Sequence, residues 1–214
     1  MQRGQFITLE GGEGSGKSTL QMALVEKLSA LDASLIVTRE PGGTPLGEAV
    51  RKLALHPPDG EAWTPMAETL LMYTAREDHL EKLIRPALER GDWVLCDRFA
   101  DSTRAYQSAG GGVSKALVEA LDKAVVGDTQ PDLTFILDAD PEALQTRRTA
   151  RGETDAFEAR GLEFHRLVRS AFLDIAKENP DRCAVIDALA NPADVLEQTW
   201  RVIEERFELS GQDA

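Results

Sequence analysis

Gly11-Gly12-Glu13-Gly14-Ser15-Gly16-Lys17-Ser18 follows the short apolar run Phe6–Leu9 and opens a helical pattern at Thr19. The stretch matches G-x-x-x-x-G-K-[ST], a strong local constraint on fold. Its glycines let the backbone wrap an anion so that successive N–H groups point inward, and the following helix turns its positive end toward the same spot. Lys17 is expected to reach the β- and γ-phosphates of a nucleoside triphosphate, with the Ser18 hydroxyl on Mg²⁺. A plain turn between strand and helix needs one or two small residues and has no use for Lys-Ser after them. Gly11, Gly12, Glu13, Gly14, Ser15, Gly16, Lys17, Ser18 and Thr19 are therefore the expected triphosphate-binding set.

Four more short apolar runs follow, at Leu35–Val37, Trp93–Cys96, Leu133–Leu137 and Cys183–Ile186. Their continuity suits parallel strands covered on both faces. Helical patterns alternate with them. Leu20, Leu24, Leu28 and Leu31 mark the first, and Leu46–Leu55, after Pro45, the second. A long pattern from Pro65 to Arg90 carries Pro86, expected to kink it, and Gly91, expected to end it. Ser114 is expected to cap a helix holding Leu117, Val118, Leu121 and Val125, and Val195, Leu196, Trp200, Ile203 and Phe207 mark a last one. The alternation predicts an α/β fold with a mostly parallel sheet. A single domain over residues 1–210 is expected, with a frayed tail at 211–214.

Ligands in such sheets bind beyond the carboxyl ends of the strands. Here those ends carry Glu10, Thr38-Arg39-Glu40-Pro41-Gly42-Gly43, Asp97-Arg98 and Asp138-Ala139-Asp140. Val94-Leu95-Cys96-Asp97 is an apolar strand ending in an acid, the arrangement that helps hold Mg²⁺ beside a phosphate loop, although Asp also starts ordinary turns. Arg98 is placed to grip a phosphate bidentately; its structural alternative is an ion pair with Asp97 or Asp101. Arg147, Arg148, Arg151 and Arg160 crowd a stretch broken by Gly152 and followed by Gly161. This favours a lid, about residues 147–160, that closes arginines over transferring phosphate, against a solvated helix face laced with ion pairs. Asp101–Gln107 reads as a polar loop, and Gly110-Gly111-Gly112 as a flexible connection. His56, His79 and His165 lack metal-ligand spacing and read as surface or satisfied structural residues.

The net charge of −13 argues against a general nucleic-acid or anionic-membrane binder, so an anionic substrate must be held by locally clustered arginines. Cys96 and Cys183 sit in separate strand-like runs, as reduced buried thiols do in the cytoplasm. Met1-Gln2-Arg3-Gly4 leads straight into the first strand, and no apolar run approaches the length of a membrane span. A cytoplasmic protein is expected.

Taken in order, the phosphate loop, Thr38–Thr44, Tyr73–Arg76, Asp97-Arg98-Phe99 with Asp101–Gln107, Pro131–Thr134 and Arg151–Asp155 resemble the bacterial thymidylate kinases. The ordered match runs from about Phe6 to Asp187, and it is specific as a set where each fragment alone is weak. The resemblance implies a three-layer P-loop fold with a five-stranded parallel sheet and a small lid. It also implies a homodimer that phosphorylates dTMP to dTDP with ATP and Mg²⁺. Residue by residue, it implies that Arg98 holds the acceptor phosphate with Arg51 nearby, and that Arg76 donates to a thymine carbonyl. Thr103 and Gln107 complete base recognition, and Tyr106 packs on the deoxyribose. Glu13, an electrostatic misfit in a phosphate loop, becomes the partner of the sugar 3′-OH. Gly14 leaves no arginine in the loop itself, so Arg151 of the lid is expected to stabilise the transferring phosphoryl group, with Arg147 stacked on adenine. Met72 stands where relatives often have a phenylalanine on thymine, and Phe99 where a tyrosine or histidine is common. The rival expectations are another P-loop nucleotide or deoxynucleoside kinase, a nucleotide switch, and a partner-binding module with a vestigial loop.

Overall fold

Phe6–Gly11 forms a strand, β1, that is buried at every residue and so requires cover on both sides. In the computed structural model, which describes residues 3–31, 33–149 and 156–209 (147–149 by backbone alone), four parallel strands join it. They are β2 (Leu35–Arg39), β3 (Trp93–Asp97), β4 (Leu133–Asp138) and β5 (Cys183–Asp187), in the order β2-β3-β1-β4-β5. Along the chain lie α1 (Lys17–Leu28), α2 (Pro45–Leu55), α3 (Pro65–His79), α4 (Arg85–Arg90) and α5 (Ala100–Thr103). After them come α6 (Lys115–Val125), α7 (Pro141–Thr149), α8 (Leu162–Glu178) and α9 (Pro192–Phe207).

Alternation along the strands sorts side chains between two helical layers. Ile7, Leu9, Leu95, Phe135 and Leu137 meet Leu20, Leu24 and Leu28 of α1 and Val195 and Ile203 of α9. On the other face, Phe6, Val94 and Cys96 meet Leu80, Ile84, Leu88 and Phe99, while Ile136 and Cys183 meet Val168, Phe172 and Ile175 of α8. Each fully buried Leu, Ile or Phe contributes about 1.5–3 kcal/mol. This is the expected three-layer α/β fold.

The strands outrun the apolar runs that announce them, ending at Gly11, Arg39, Asp97, Asp138 and Asp187. Ladder bonds use only backbone groups, so a polar side chain at a strand's end is tolerated when it turns into a cleft. The register pairs Leu9 and Arg39 with Asp97, Gly11 with Leu137, and Asp138 with Asp187, which levels the carboxyl ends along one edge.

Four expectations need correction. The long helix expected from Pro65 to Arg90 is not simply kinked: α3 stops at His79 and a π-helical turn, Leu80–Ile84, precedes α4. Pro86 lacks an N–H and its ring crowds the carbonyl one turn back, and the wider turn absorbs both effects. Asp101–Gln107, expected as a polar loop, is helical, divided between α5 and a second π-helical segment, Arg104–Gly110. Phe99, Thr103 and Tyr106 recur at helical spacing there, and all three are buried. The glycine triplet is a close contact and not only a connection, since a Cβ on Gly110 would lie 2.5 Å from the Phe164 ring of α8. Ser114 stands at the N-cap of α6, but its side chain makes no capping bond. The tail expected at 211–214 lies outside the described residues.

Candidate active site

At the end of β1 the chain turns through Gly11, Gly14 and Gly16, at φ 132°, 82° and 93°, conformations that glycine adopts without a steric penalty. α1 begins at Lys17. The Lys17 ammonium donates to the Gly11 carbonyl (3.1 Å), the Gly12 carbonyl (2.9 Å) and Ser15 Oγ (3.4 Å), so its three protons span the loop from inside. Burial, with the charge of Arg98 adding to it, pushes its pKa down to about 8, although Glu13 and Asp97 pull the other way.

A cleft of about 570 Å³ opens over this loop, within the range of small-molecule sites. Glu13, Gly14, Ser15, Gly16, Lys17, Ser18 and Thr19 line one part of it with Asp97. Every residue expected on the acceptor side also lines it: Arg51, Met72, Arg76, Arg98, Thr103, Tyr106 and Gln107. Gly11 and Gly12 do not; their contribution here is the carbonyl pair that holds Lys17. Arg151 lies outside the described residues, and of Arg147 only the backbone, in α7, is described.

Arg98 takes φ 69°, left-handed and rare for a residue with a side chain, directly after Asp97. Its guanidinium donates to the Gly11 carbonyl (2.9 Å), Ser102 Oγ (3.1 Å), Glu13 (2.5 Å) and the Tyr106 hydroxyl (3.2 Å). The alternative pairing with Asp97 or Asp101 is not what forms. Asp101 instead receives Arg104 (2.6 Å) and Arg182 (2.6 Å). Burial works against the Arg98 charge, but Glu13, Tyr106, Asp97 and Glu10 outweigh it and raise its pKa above the ordinary arginine value. Glu13, a misfit when the loop is read alone, is thus the counter-charge that ties Arg98 to the loop.

Glu10, wholly buried, accepts from Phe99 N (2.8 Å), Ser102 N (3.2 Å) and Ser102 Oγ (2.6 Å), bracing the turn that follows Arg98. Burial first, then the negative charge of Asp101, pushes its pKa up to about 7. Asp97 Oδ1 is buried with no hydrogen-bond partner among the described residues. An orphaned carboxylate oxygen on the cleft wall shared with Ser18 fits a divalent cation.

At the far end Arg76 is 2% exposed. Its Nε donates to Glu40 (2.8 Å) and Nη2 to Thr103 Oγ (3.1 Å), leaving Nη1 without a partner among the described residues. Gln107 donates to Glu68 (2.8 Å), which also receives Arg160. Arg160, grouped in sequence with the lid arginines, thus belongs to this end of the cleft. The Tyr106 ring packs edge-on against Phe157, Phe164 and Phe172. Met72 lines the cleft, whereas Tyr73 turns away to bond Asp122 (2.8 Å). Phe99 is 1% exposed and packs edge-on against Phe6.

Sequence reasoning missed Glu10, Glu40 and Phe157, and also the apolar wall made by Leu20, Ala23, Ala190 and Val195. Glu10 and Glu40 were visible only as polar strand ends. The wall carried no chemical signal. Of the histidines, His56 is exposed while His79 and His165 are buried.

A phosphate loop at the carboxyl edge of a parallel sheet, facing an acidic strand end and an arginine-lined cleft, defines a P-loop phosphotransferase. The family profile described as Thymidylate kinase matches residues 9–211. The thymidylate kinase of Caulobacter vibrioides is 50% identical over 209 residues, 98% of this chain and 100% of that one. That of Afipia carboxidovorans is 50% identical over 96% of this chain and 91% of its own. The crystal structure of the Ehrlichia chaffeensis thymidylate kinase superimposes with a TM-score of 0.78 at 36% identity, covering 94% of this chain and 99% of that one. The chain belongs to the thymidylate kinase family.

Proposed function

We propose that the cleft transfers the γ-phosphoryl group of ATP directly to the 5′-phosphate of dTMP, giving dTDP for the dTTP supply. Family membership supports the reaction. The observation that carries the site assignment is the single cleft joining the phosphate loop to Arg98 and Arg76. The acceptor is an oxygen already ionised at neutral pH, so the chain needs no strong general base. Its task is positioning and charge neutralisation.

Lys17 exchanges its loop carbonyls for the phosphates of the donor. Arg98 holds the acceptor phosphate, Arg51 lies at the same end, and Glu13 fixes Arg98 while accepting from the sugar 3′-OH. Arg151 neutralises charge on the transferring group, and Arg147 stacks on adenine. Leu20, Ala23, Ala190 and Val195 give an apolar wall suited to a base. Arg76 Nη1 donates to the O4 carbonyl of thymine, Thr103 and Gln107 meet the ring's polar edge, Met72 covers its face, and Tyr106 closes on the deoxyribose. Ser18 and Asp97 would hold Mg²⁺, which when bound would supply charge neutralisation for the phosphates.

Among the described residues no helix is long and apolar enough to cross a membrane. A cytoplasmic homodimer is part of the proposal. Met66 and Leu70, one turn apart on α3, are 44% and 48% exposed and offer an apolar face to a second copy.

Steady-state assays with ATP and a panel of dTMP, dCMP, dGMP and dAMP test the substrate. A site that hydrogen-bonds its base should favour dTMP by about 10⁴ in kcat/KM over bases that leave its polar groups unpaired. Faster turnover of a cytosine or purine nucleotide would overturn the assignment.

A further inference from the structure

Thr38, Glu40 and His79 are buried polar residues that no step above uses, at 7%, 4% and 0% exposure. Thr38 belongs to β2, Glu40 follows that strand, and His79 is the last residue of α3, where the first π-helical turn begins. The Glu40 carboxylate accepts from Arg76 Nε at 2.8 Å with one oxygen and from His79 Nδ1 at 3.1 Å with the other. His79 Nε2 lies 2.7 Å from Thr38 Oγ1, so both ring nitrogens are engaged. The loop after β2 closes over the ring: Gly43 sits at φ 77°, and a Cβ there would fall 2.3 Å from His79 Nε2.

The result is a chain, Arg76–Glu40–His79–Thr38, that leaves one guanidinium nitrogen, Nη1, without a partner among the described residues. A carboxylate beside an arginine ordinarily takes two parallel N–H bonds, here from Nε and Nη2. Glu40 does not, because His79 occupies its second oxygen. Nη2 is thereby left to Thr103, and the guanidinium plane is fixed with Nη1 to spare.

We infer that His79 is a positioning residue for base discrimination: it restricts Glu40 to a single contact with Arg76, so that Nη1 is presented to the acceptor base. The inference rests on Arg76 reading the base. A ring carbonyl accepts from Nη1, whereas the amino group of cytosine at the same place is a donor and cannot. Without His79, Glu40 captures Nη2 as well, and Arg76 leaves register with both Thr103 and the base.

The test compares His79→Asn with His79→Gln, reading kcat/KM for dTMP and dCMP. Asparagine places its amide nitrogen near the position of Nδ1 and keeps the bond to Glu40; glutamine reaches toward Thr38 and loses it. His79→Asn should hold the dTMP-to-dCMP ratio within about threefold. His79→Gln should lower it by about 10- to 100-fold, by analogy with lost supports behind metal ligands, through the KM for dTMP more than kcat. Equal ratios in the two variants would overturn the inference. Should neither variant fold, shown by loss of the ATP-induced rise in Tm, the isosteric Glu40→Gln decides: a lowered ratio supports the clamp and an unchanged one overturns it. Arg76→Lys separates the two levels. If it leaves the ratio intact, the base-reading role of Arg76 fails and the inference with it. If it collapses the ratio while His79→Gln preserves it, only the inference about His79 fails.

Discussion

Lys17 is a buried ammonium held by two carbonyls and a hydroxyl, and a phosphate is a better partner than any of them. Its pKa of about 8 lies below the ordinary lysine value of 10.5, so the folded protein releases this proton sooner than the unfolded chain. Stability from this group therefore rises with pH between about 8 and 10.5. ATP binding runs the other way, because the triphosphate favours the charged form. Calorimetric affinity for a non-hydrolysable ATP analogue should hold below pH 8 and weaken toward about tenfold per pH unit above it. Lys17→Met should bind weakly at every pH and remove that dependence; an unchanged profile would contradict the role given to Lys17. This residue was legible because its partners are all local. Arg76 was legible only through resemblance, since Glu40, 36 residues away, leaves no mark in a motif.

At the scale of elements, the π-helical segment Arg104–Gly110 reaches the cleft where the local sequence pattern is least informative. The segment Arg104–Gly110 carries Tyr106 and Gln107 into the site, and α8 packs against it through Phe164 and Phe172. Gly110 sets that spacing. Gly110→Ala would drive a methyl into the Phe164 ring, which is itself packed on Tyr106, and should destabilise the protein by about 1–3 kcal/mol in urea. The KM for dTMP should rise as Tyr106 moves; unchanged stability and KM would show that the contact relaxes freely. The sequence read as a polar loop here because Asp101, Ser102 and Arg104 dominate its composition. The apolar face is short, and in α8 the spacing of Val168, Phe172 and Ile175 is interleaved with Arg166 and Arg169, whose charge dominates the local pattern.

Across the whole molecule, five parallel strands level their carboxyl ends so that residues nearly ninety apart, Gly11 and Arg98, meet at hydrogen-bond distance. Strand order was not written in any one segment, but the α/β alternation and the polar strand ends were, and they sufficed to name the edge where chemistry collects. The net charge of −13 leaves the arginines of the cleft as the attraction for an anionic acceptor. Direct transfer between two nucleotides held in one cleft leaves a kinetic signature. A rapid-quench single turnover with γ-labelled ATP and dTMP tests it most directly. Label should appear in dTDP as fast as it leaves ATP, with none on the protein, and Arg98→Gln should slow that transfer by about 10²–10³. Label accumulating in inorganic phosphate or on the chain, or an Arg98→Gln variant that transfers normally, would contradict it.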